Sequence, residues 1–278
     1  MQENEIREAR GVLEAAAARR GDAEPVRLNE WECYQVLDAA GVGRGPAAFL
    51  GADADAAARR RWAQAAVGLA DDRGRLLIKV CGRDLLHKTD IGGVEVLELD
   101  SGEGAEDRIL RAADAVVSRV AEAGAAAGIE GLLACGFVAH RPDTPGQEVL
   151  LTVRQDPAFG PVVVIGVGGT LTEWYGEGSG GRSTLVLPAR GLTAELATAA
   201  VAAHPLLRIL AWPSRRYPDP PLAPHALADA LVKLARLATT WAADTGGPTL
   251  EELEINPAVP GEGQVLALDG VGLVSTRQ

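Results

Sequence analysis

The chain has 278 residues, 47% hydrophobic and 23% charged, which is typical of a globular protein and excludes a disordered or collagen-like chain. Its formal net charge of −11 argues against binding nucleic acid through a basic face. No apolar run approaches the roughly 20 residues that span a bilayer, and charged residues 1–20 contain no apolar segment of a secretion signal. Three widely spaced cysteines give neither a disulfide framework nor a zinc motif. We therefore expect a cytoplasmic protein with no membrane or nucleic-acid partner.

The first half of the chain combines helical and strand patterns. Helices are predicted over residues 3–20, 28–40, 52–70 and 106–126. Asn29 is expected to cap the second helix, with Glu32 three positions later and Gly41 at its end. Strands are predicted over residues 76–80, 94–99 and 131–139.

The second half adds strands over residues 148–154 and 162–167 and helices over 192–203 and 225–243. A hairpin of strands 250–255 and 264–268 follows, joined by a Pro-Gly-Glu-Gly turn. Two stretches rich in glycine or proline, 176–181 and 213–224, are predicted to be mobile loops. The whole pattern predicts an α/β or α+β chain with two lobes.

Lys79 lies within the apolar strand Leu76-Leu77-Ile78-Lys79-Val80. An ammonium group is costly to bury without an anionic partner, so Lys79 is a candidate phosphate ligand. An edge strand with the lysine pointing to solvent explains the pattern equally well.

His87 opens the loop His-Lys-Thr-Asp-Ile-Gly-Gly-Val, which ends at Val94. Neutral imidazole is nucleophilic near pH 7, so the histidine can accept a phosphoryl group, and glycines let backbone N–H groups approach an anion. The same composition also fits a polar turn with an exposed histidine.

A buried strand, Val162–Val167, runs into Gly168 and Gly169. This order is typical of a phosphate-binding turn, although a tight bend has the same composition. Glu173 follows four residues later and could face the same cleft.

The C-terminal hairpin carries candidate magnesium ligands. If its turn centres on Gly261 and Glu262, Glu254 lies opposite Asp269, and Asn256 shares their face. Carboxylate and amide oxygens are ligands that Mg²⁺ takes, with nucleotide phosphates completing the coordination. A solvated hairpin face in a different register is the alternative. Taken together, the lysine, the glycine-rich turns and the hairpin favour a nucleotide site.

These segments, in this order, resemble the β subunit or ATP-grasp portion of ADP-forming acyl-CoA synthetases, relatives of succinyl-CoA synthetase. The resemblance covers about residues 28–270. Its motifs are Leu-Asn-Glu-Trp-Glu from residue 28, the Lys79 strand, the His87 loop, Asp-Pro-Ala-Phe-Gly-Pro from 156, the turn at 166–169 with Glu173, and Glu-Ile-Asn-Pro from 254 with Asp269.

The resemblance implies an ATP-grasp fold in which two lobes enclose a nucleotide cleft. It implies a helical extension at 1–27, a small lobe at 28–133 and a large lobe at 134–278. It also implies that acid, CoA and ATP interconvert with acyl-CoA, ADP and phosphate, with Mg²⁺ as cofactor and a CoA- and acyl-binding α-type subunit as partner in a hetero-oligomer.

The resemblance also implies individual roles for residues. His87 would be the catalytic phosphoryl carrier and Lys79 the phosphate-binding lysine. Asn256 and Asp269 would be magnesium ligands with Glu254 beside them. The implied adenine-facing segment and the cleft residue after it are Cys135, Gly136, Phe137, Val138 and Glu148.

Several positions depart from the family pattern. The family tends to have lysine where Tyr34 stands and arginine where Leu185 stands. After Pro205-Leu-Leu the family usually has Gly-x-Arg-Gly, whereas this chain has Arg-Ile-Leu-Ala-Trp, ending at Trp212. Arg182 or Arg208 could substitute for a lost arginine. Two alternative functions therefore stay open: a non-catalytic ATP-grasp regulatory or binding subunit, and a stand-alone ATP-grasp ligase that works through an acyl phosphate without His87.

Overall fold

The computed structural model describes residues 3–19, 25–85, 87–99, 104–142, 146–169, 172, 176, 183–213, 215, 218, 220, 222–242 and 247–276. The chain forms two compact units. The small unit comprises residues 29–31 and 45–139, and the large unit comprises residues 1–28, 32–44 and 140–278. Glu173, Arg182 and most of 176–181 lie outside the described residues, as do parts of 213–224.

The small unit is a four-stranded antiparallel sheet with two helices packed against it. The strand order is β2-β5-β3-β4. Its elements are β2 (Ala47–Gly51), α3 (Ala56–Val67), β3 (Arg75–Cys81), β4 (Val94–Glu98), α4 (Ala105–Glu122) and β5 (Gly131–Gly136).

The core of the small unit follows from apolar spacing. Helix α4 buries Ile109, Ala113, Val116 and Val120, which recur three, four and seven residues apart and so share one face. This face packs with α3 and with the buried side chains of β3. Helix α3 starts where the Asp55 carboxylate accepts a hydrogen bond from Ala58 N at 2.7 Å.

The large unit is built on a seven-stranded sheet in which each described strand pair is antiparallel. The order is β1-β11-β9-β6-β7-β8, with β10 also paired to β9. Its strands are β1 (Val26–Leu28), β6 (Val149–Asp156), β7 (Gly160–Val167), β8 (Thr184–Pro188), β9 (Pro248–Pro260), β10 (Val265–Ala267) and β11 (Gly270–Thr276). Its helices are α1 (Glu3–Ala18), most of α2 (Glu30–Ala40), α5 (Ala194–Ala203) and α6 (Pro224–Thr240).

Helices cover parts of this sheet. Helix α1 contacts β1, β9 and β11, and α6 contacts β6 and β7. Because α1 packs on the large sheet, residues 1–28 belong to the large unit instead of forming the separate extension expected at 1–27. Residues 32–44 also belong to the large unit, so the unit boundaries differ from those expected at 28 and 134.

The predicted helices and strands are found with shifted ends, and four strands were missed, namely β1, β2, β8 and β11. The predicted helix 28–40 begins at Glu30 after the short strand β1. Strand β2 ends just before the predicted helix 52–70. Strand β8 lies in a stretch for which no strand was predicted. Gly41 ends α2 with φ of +69°, as its position predicted. No helix in the described ranges is long and apolar enough to cross a membrane.

Candidate functional site

In the large unit, the start of β6 lies beside the end of β7. The two strands are antiparallel, with Val149 opposite Val167, so Glu148 before β6 meets Gly168 and Gly169 after β7. Gly168 N donates to Glu148 O at 3.0 Å. Strand pairing thus brings Glu148 beside two other predicted site residues, Gly168 and Gly169, which follow it by 20 and 21 positions.

The glycine turn approaches this strand too closely for any side chain. A Cβ on Gly168 would lie 2.4 Å from the carbonyl carbon of Val149. A Cβ on Gly169 would lie 1.6 Å from Glu148 Oε2, and Gly169 has φ of +71°. Glycine is therefore required at both positions, for space and, at Gly169, for backbone conformation.

Glu148 is buried, and one of its carboxylate oxygens has no hydrogen-bond partner among the described residues. Oε1 lies 3.2 Å from His140 Nε2, whereas Oε2 accepts no hydrogen bond from any residue the structure describes. A buried acceptor without a donor costs free energy, and native proteins usually satisfy such atoms with water or a ligand. Oε2 is therefore a candidate ligand contact beside the glycine turn.

Asn256 joins the same cluster from β9. Its Oδ1 accepts a hydrogen bond from Gly169 N at 2.7 Å. Gly169 thus touches both Asn256 and Glu148, and these three residues form what we call the Gly169 junction. All three were predicted as site residues.

The predicted hairpin register is wrong by two residues. Val271, not Asp269, lies opposite Glu254, and Gly270, not Leu268, lies opposite Ile255. The return segment splits into β10 and β11, and continuing their common register places Asp269 opposite Asn256. A two-residue shift leaves each side chain on its predicted face of the sheet because side chains alternate with a period of two.

The three predicted magnesium ligands differ in their surroundings. Burial and the nearby Glu252 carboxylate raise the pKa of Glu254 above its usual value. Asp269 Oδ1 accepts a hydrogen bond from Gly270 N at 2.8 Å. In the described part of the chain, no group of three or more His, Cys, Asp or Glu side chains is arranged to hold a metal ion. The donor set fits Mg²⁺ by chemistry, since carboxylate and amide oxygens bind this ion when phosphates supply further ligands.

In the small unit, Lys79 lies on a central strand and not at a sheet edge. It is 9% exposed, and its Nζ lies 3.0 Å from Glu30 Oε1. Lys88 Nζ bonds the other oxygen of the same carboxylate. We call Glu30, Lys79 and Lys88 the lysine fork. Its two ammonium groups and one carboxylate carry one net positive charge.

His87 lies next to the lysine fork and is exposed. Its loop is fixed on the β4 side, where Gly93 N donates to Lys88 O at 2.7 Å and Val80 N donates to Gly93 O at 2.9 Å. A Cβ on Gly93 would lie 2.7 Å from Val80 Cγ2, so this close approach also requires glycine. The histidine is thus presented to solvent from a firmly attached loop.

The predicted adenine-facing segment spans the end of β5, which closes with Cys135 and Gly136. Cys135 is buried, and Gly136 N donates to Pro46 O at 2.8 Å. The Arg75 guanidinium lies 3.9 Å from the centroid of the Phe137 ring, so one face of that ring is covered. Val138 is half-buried.

Cysteine chemistry is not indicated near the lysine fork. Burial raises the pKa of the Cys81 thiol to about 12, so the nucleophilic thiolate is disfavoured at neutral pH. The three cysteines are all buried.

Sequence reasoning missed two functional candidates, Glu30 and His140. Glu30 was taken as part of a helix start, although the need of Lys79 for an anion was recognised. His140 lies eight residues before Glu148 in a segment without regular structure, and no sequence pattern links the two.

The Gly169 junction yields a prediction for stability. Gly169→Ala combines the left-handed backbone cost of about 1–2 kcal/mol with displacement of the buried Glu148 carboxylate from His140. We expect Gly169→Ala to lower the free energy of unfolding by at least about 1 kcal/mol more than Gly160→Ala, measured by urea denaturation. Gly160 is the matched control because it has φ of +73° and no atom within 4 Å of its Cβ position. Equal losses would show that the close approach to Glu148 is unimportant.

Comparison with known sequences gives one family and several relatives. The ATP-grasp domain family matches residues 19–271. Trans-feruloyl-CoA synthase FCS1 of an unknown prokaryotic organism is 28% identical over 258 residues, which are 91% of this chain and 31% of that protein. The ADP-forming acetate–CoA ligase I of Archaeoglobus fulgidus is 28% identical over 182 residues, 66% of this chain and 23% of that protein.

A third relative is a separate subunit. The beta subunit of ADP-forming acetate–CoA ligase I of Pyrococcus furiosus is 26% identical over 194 residues, 70% of this chain and 72% of that subunit. By contrast, the chain spans less than a third of the length of the other two relatives.

Solved structures share the fold. PH1788 from Pyrococcus horikoshii has a TM-score of 0.73 at 20% identity, over 98% of this chain and 100% of that one. The dinucleotide-forming acetyl-coenzyme A synthetase 1 of Ca. Korarchaeum cryptofilum, in complex with coenzyme A and Mg-AMPPCP, has a TM-score of 0.66 at 18% identity. That match covers 97% of this chain and 100% of that one.

Proposed function

The chain belongs to the ATP-grasp family and has its fold, as the sequence led us to expect, and we propose that it is the ATP-grasp subunit of an acid–thiol ligase. In this proposal the ligase is of the ADP-forming acyl-CoA synthetase type. The chain binds Mg-ADP or Mg-ATP and passes a phosphoryl group between His87 and the nucleotide. Its relatives among ADP-forming acetate–CoA ligases support the ligase class.

The Gly169 junction is the observation that carries this proposal. It combines a glycine turn, a buried carboxylate oxygen with no hydrogen-bond partner in the described part of the chain, and an amide oxygen from β9. Such a combination suits a ligand that offers hydroxyl donors and phosphates. A bound Mg²⁺ ion would neutralise phosphate charge, and Asn256 and Asp269 are the residues that would hold it, with Glu254 beside them.

The small unit would supply the phosphoryl carrier and positive charge. Lys79 and Lys88 are both held by Glu30, and His87 is exposed beside them. Exposure suits a histidine that must meet both a nucleotide and a second phosphoryl donor. Cys135 to Val138 are the residues of this unit that would contact the nucleotide.

A partner would supply the remaining chemistry. The match to a separate beta subunit supports a hetero-oligomer with a CoA- and acyl-binding α-type subunit, which would take the carboxylic acid and CoA. We place this assembly in the cytoplasm.

A non-catalytic ATP-grasp subunit is the second candidate function. It is favoured by Leu185, which lies on β8 opposite Ile165 at the position where the family tends to have arginine. A leucine there supplies no charge for phosphate or for partner docking.

Titration calorimetry with ADP and ATP, with and without Mg²⁺, tests the proposed nucleotide site. Asp269→Asn keeps an oxygen that can accept from Gly270 N but removes the charge. We expect it to weaken Mg²⁺-dependent ADP binding at least about tenfold, because replacing even a residue that only hydrogen-bonds to a metal ligand typically lowers metal affinity about tenfold or more. Glu262→Gln, an exposed charge in the same hairpin, is the control and should bind normally. A wild-type chain that binds neither nucleotide would overturn the proposed site.

A further inference from the structure

Asp269 lies in a two-residue connection between β10 and β11, and hydrogen bonds to β9 and from α2 hold this connection in place. Leu268 N donates to Pro257 O at 3.0 Å, which ties the connection to the residue after Asn256. The carbonyl oxygen of Leu268 accepts a hydrogen bond from the Tyr34 hydroxyl at 2.7 Å. Both polar backbone groups of Leu268, the neighbour of Asp269, are therefore engaged.

Tyr34 reaches this connection from α2 and is itself rigidly packed. It is 2% exposed, and the Arg44 guanidinium lies 5.4 Å from the centroid of its ring. Asp38 accepts two hydrogen bonds from Arg44 Nε and Nη2, each at 2.9 Å, which hold that guanidinium in place. The hydroxyl thus points at Leu268 from a buried ring that has little freedom to move.

The same helix and the loop after it touch both ends of the connection. A Cβ on Gly270 would lie 3.1 Å from Cys33 Cβ, so α2 packs closely against the start of β11. At the other end, Ala267 N donates to Gly43 O at 2.9 Å. The segment that carries Asp269 is therefore clamped between α2, the 43–44 loop and β9.

We propose that Tyr34 is a positioning residue that fixes Asp269 for a divalent cation through its hydrogen bond to Leu268 O. The proposal rests on the proposed function, because it takes Asp269 as a ligand of the nucleotide-bound Mg²⁺. The hydrogen bond restrains the peptide unit that joins Leu268 to Asp269, and with it the direction of the carboxylate. Residues that orient metal ligands in this way contribute to metal affinity without touching the metal.

Tyr34→Phe tests the proposal because it removes the hydroxyl and keeps the ring beneath Arg44. The test measures ADP affinity by calorimetry across a series of Mg²⁺ concentrations. We expect Tyr34→Phe to require about tenfold more Mg²⁺ for half of the Mg²⁺-dependent gain in affinity. Affinity for ADP without Mg²⁺ should be unchanged, and saturating Mg²⁺ should restore wild-type affinity.

Recovery of ADP affinity at saturating Mg²⁺ distinguishes a positioning role of Tyr34 from a merely structural one. General damage to the fold would lower ADP affinity at every Mg²⁺ concentration, which would overturn the proposal. Ser275→Ala is the control, because it removes a hydroxyl that bonds Glu251 elsewhere in the same β9–β11 pair. It should leave the Mg²⁺ requirement unchanged, and a shift as large as that of Tyr34→Phe would also contradict specific positioning.

Two negative results have different meanings. If the wild type shows Mg²⁺-dependent ADP binding and Tyr34→Phe has the same Mg²⁺ requirement, the positioning proposal alone fails. If the wild type shows no Mg²⁺ dependence, the proposed cation site fails and the role of Tyr34 fails with it.

Discussion

We expect the purified chain to acquire a phosphoryl group from Mg-ATP labelled at the γ-phosphate, and we expect His87→Ala to remain at background. In the proposed reaction the imidazole nitrogen would attack the γ-phosphorus, a P–N bond would form as the bond to the bridging oxygen breaks, and ADP would leave. The label should be lost in acid and retained in alkali, as a phosphoramidate bond requires. Adding unlabelled ADP should remove it again as labelled ATP.

Controls for this experiment come from the other histidines. His225→Ala removes a second exposed histidine, at the start of α6, and should label like the wild type. His204 Nδ1 accepts from two backbone amides and serves a local structural role, so it is a poor control. Persistent labelling of His87→Ala would rule out His87 as the carrier. A stand-alone ligase predicts acyl phosphate formation that His87→Ala leaves intact.

Replacing Glu30 should cause the largest loss of stability that we predict. Glu30→Gln keeps the size of the side chain but removes the charge shared by two buried ammonium groups. Breaking a buried ion pair by neutralising one partner typically costs about 3–5 kcal/mol. We expect the free energy of unfolding, measured by urea denaturation, to fall by an amount in this range. The dependence of that free energy on urea concentration should be unchanged.

A surface ion pair provides the matched control. Asp114→Asn removes the partner of Arg59, and the Asp114 side chain is 69% exposed. Exposed pairs contribute about 1 kcal/mol or less, so this variant should be nearly as stable as the wild type. If Glu30→Gln lost no more than Asp114→Asn, the lysine fork would contribute little to the fold.

Local patterns predicted much of the secondary structure, but short strands were missed. Strand β2 reads Ala-Ala-Phe-Leu-Gly, and alanine and glycine disfavour strands. It is a strand because it pairs with β5, far along the chain. Strand β8 is a five-residue edge strand whose pairing with β7 was equally invisible in the sequence.

The candidate site shows the same division between local and long-range information. Side-chain alternation placed Glu254, Asn256 and Asp269 on one face, which a two-residue error in register does not alter. The opposite residue was wrong because the turn centres between Glu262 and Gly263, one residue later than the assumed centre at Gly261 and Glu262, and this displacement shifts every pair by two. For Lys79, electrostatics required an anion, but Glu30 lies 49 positions away and only the fold identifies it.

The path of the chain through its two units has a consequence for folding during synthesis. Among the described strands, β1 at residues 26–28 pairs with β11 at residues 270–276 alone, so the large sheet cannot close until β11 has left the ribosome. The described strand pairs of the small unit lie within residues 47–136 and join segments closer in sequence. We infer that the small unit folds first, around the Glu30 carboxylate, while β1 remains unpaired until β11 has been synthesised. A ribosome stalled after residue 180 should therefore display a protease-resistant small unit beside a protease-sensitive α1 and β1.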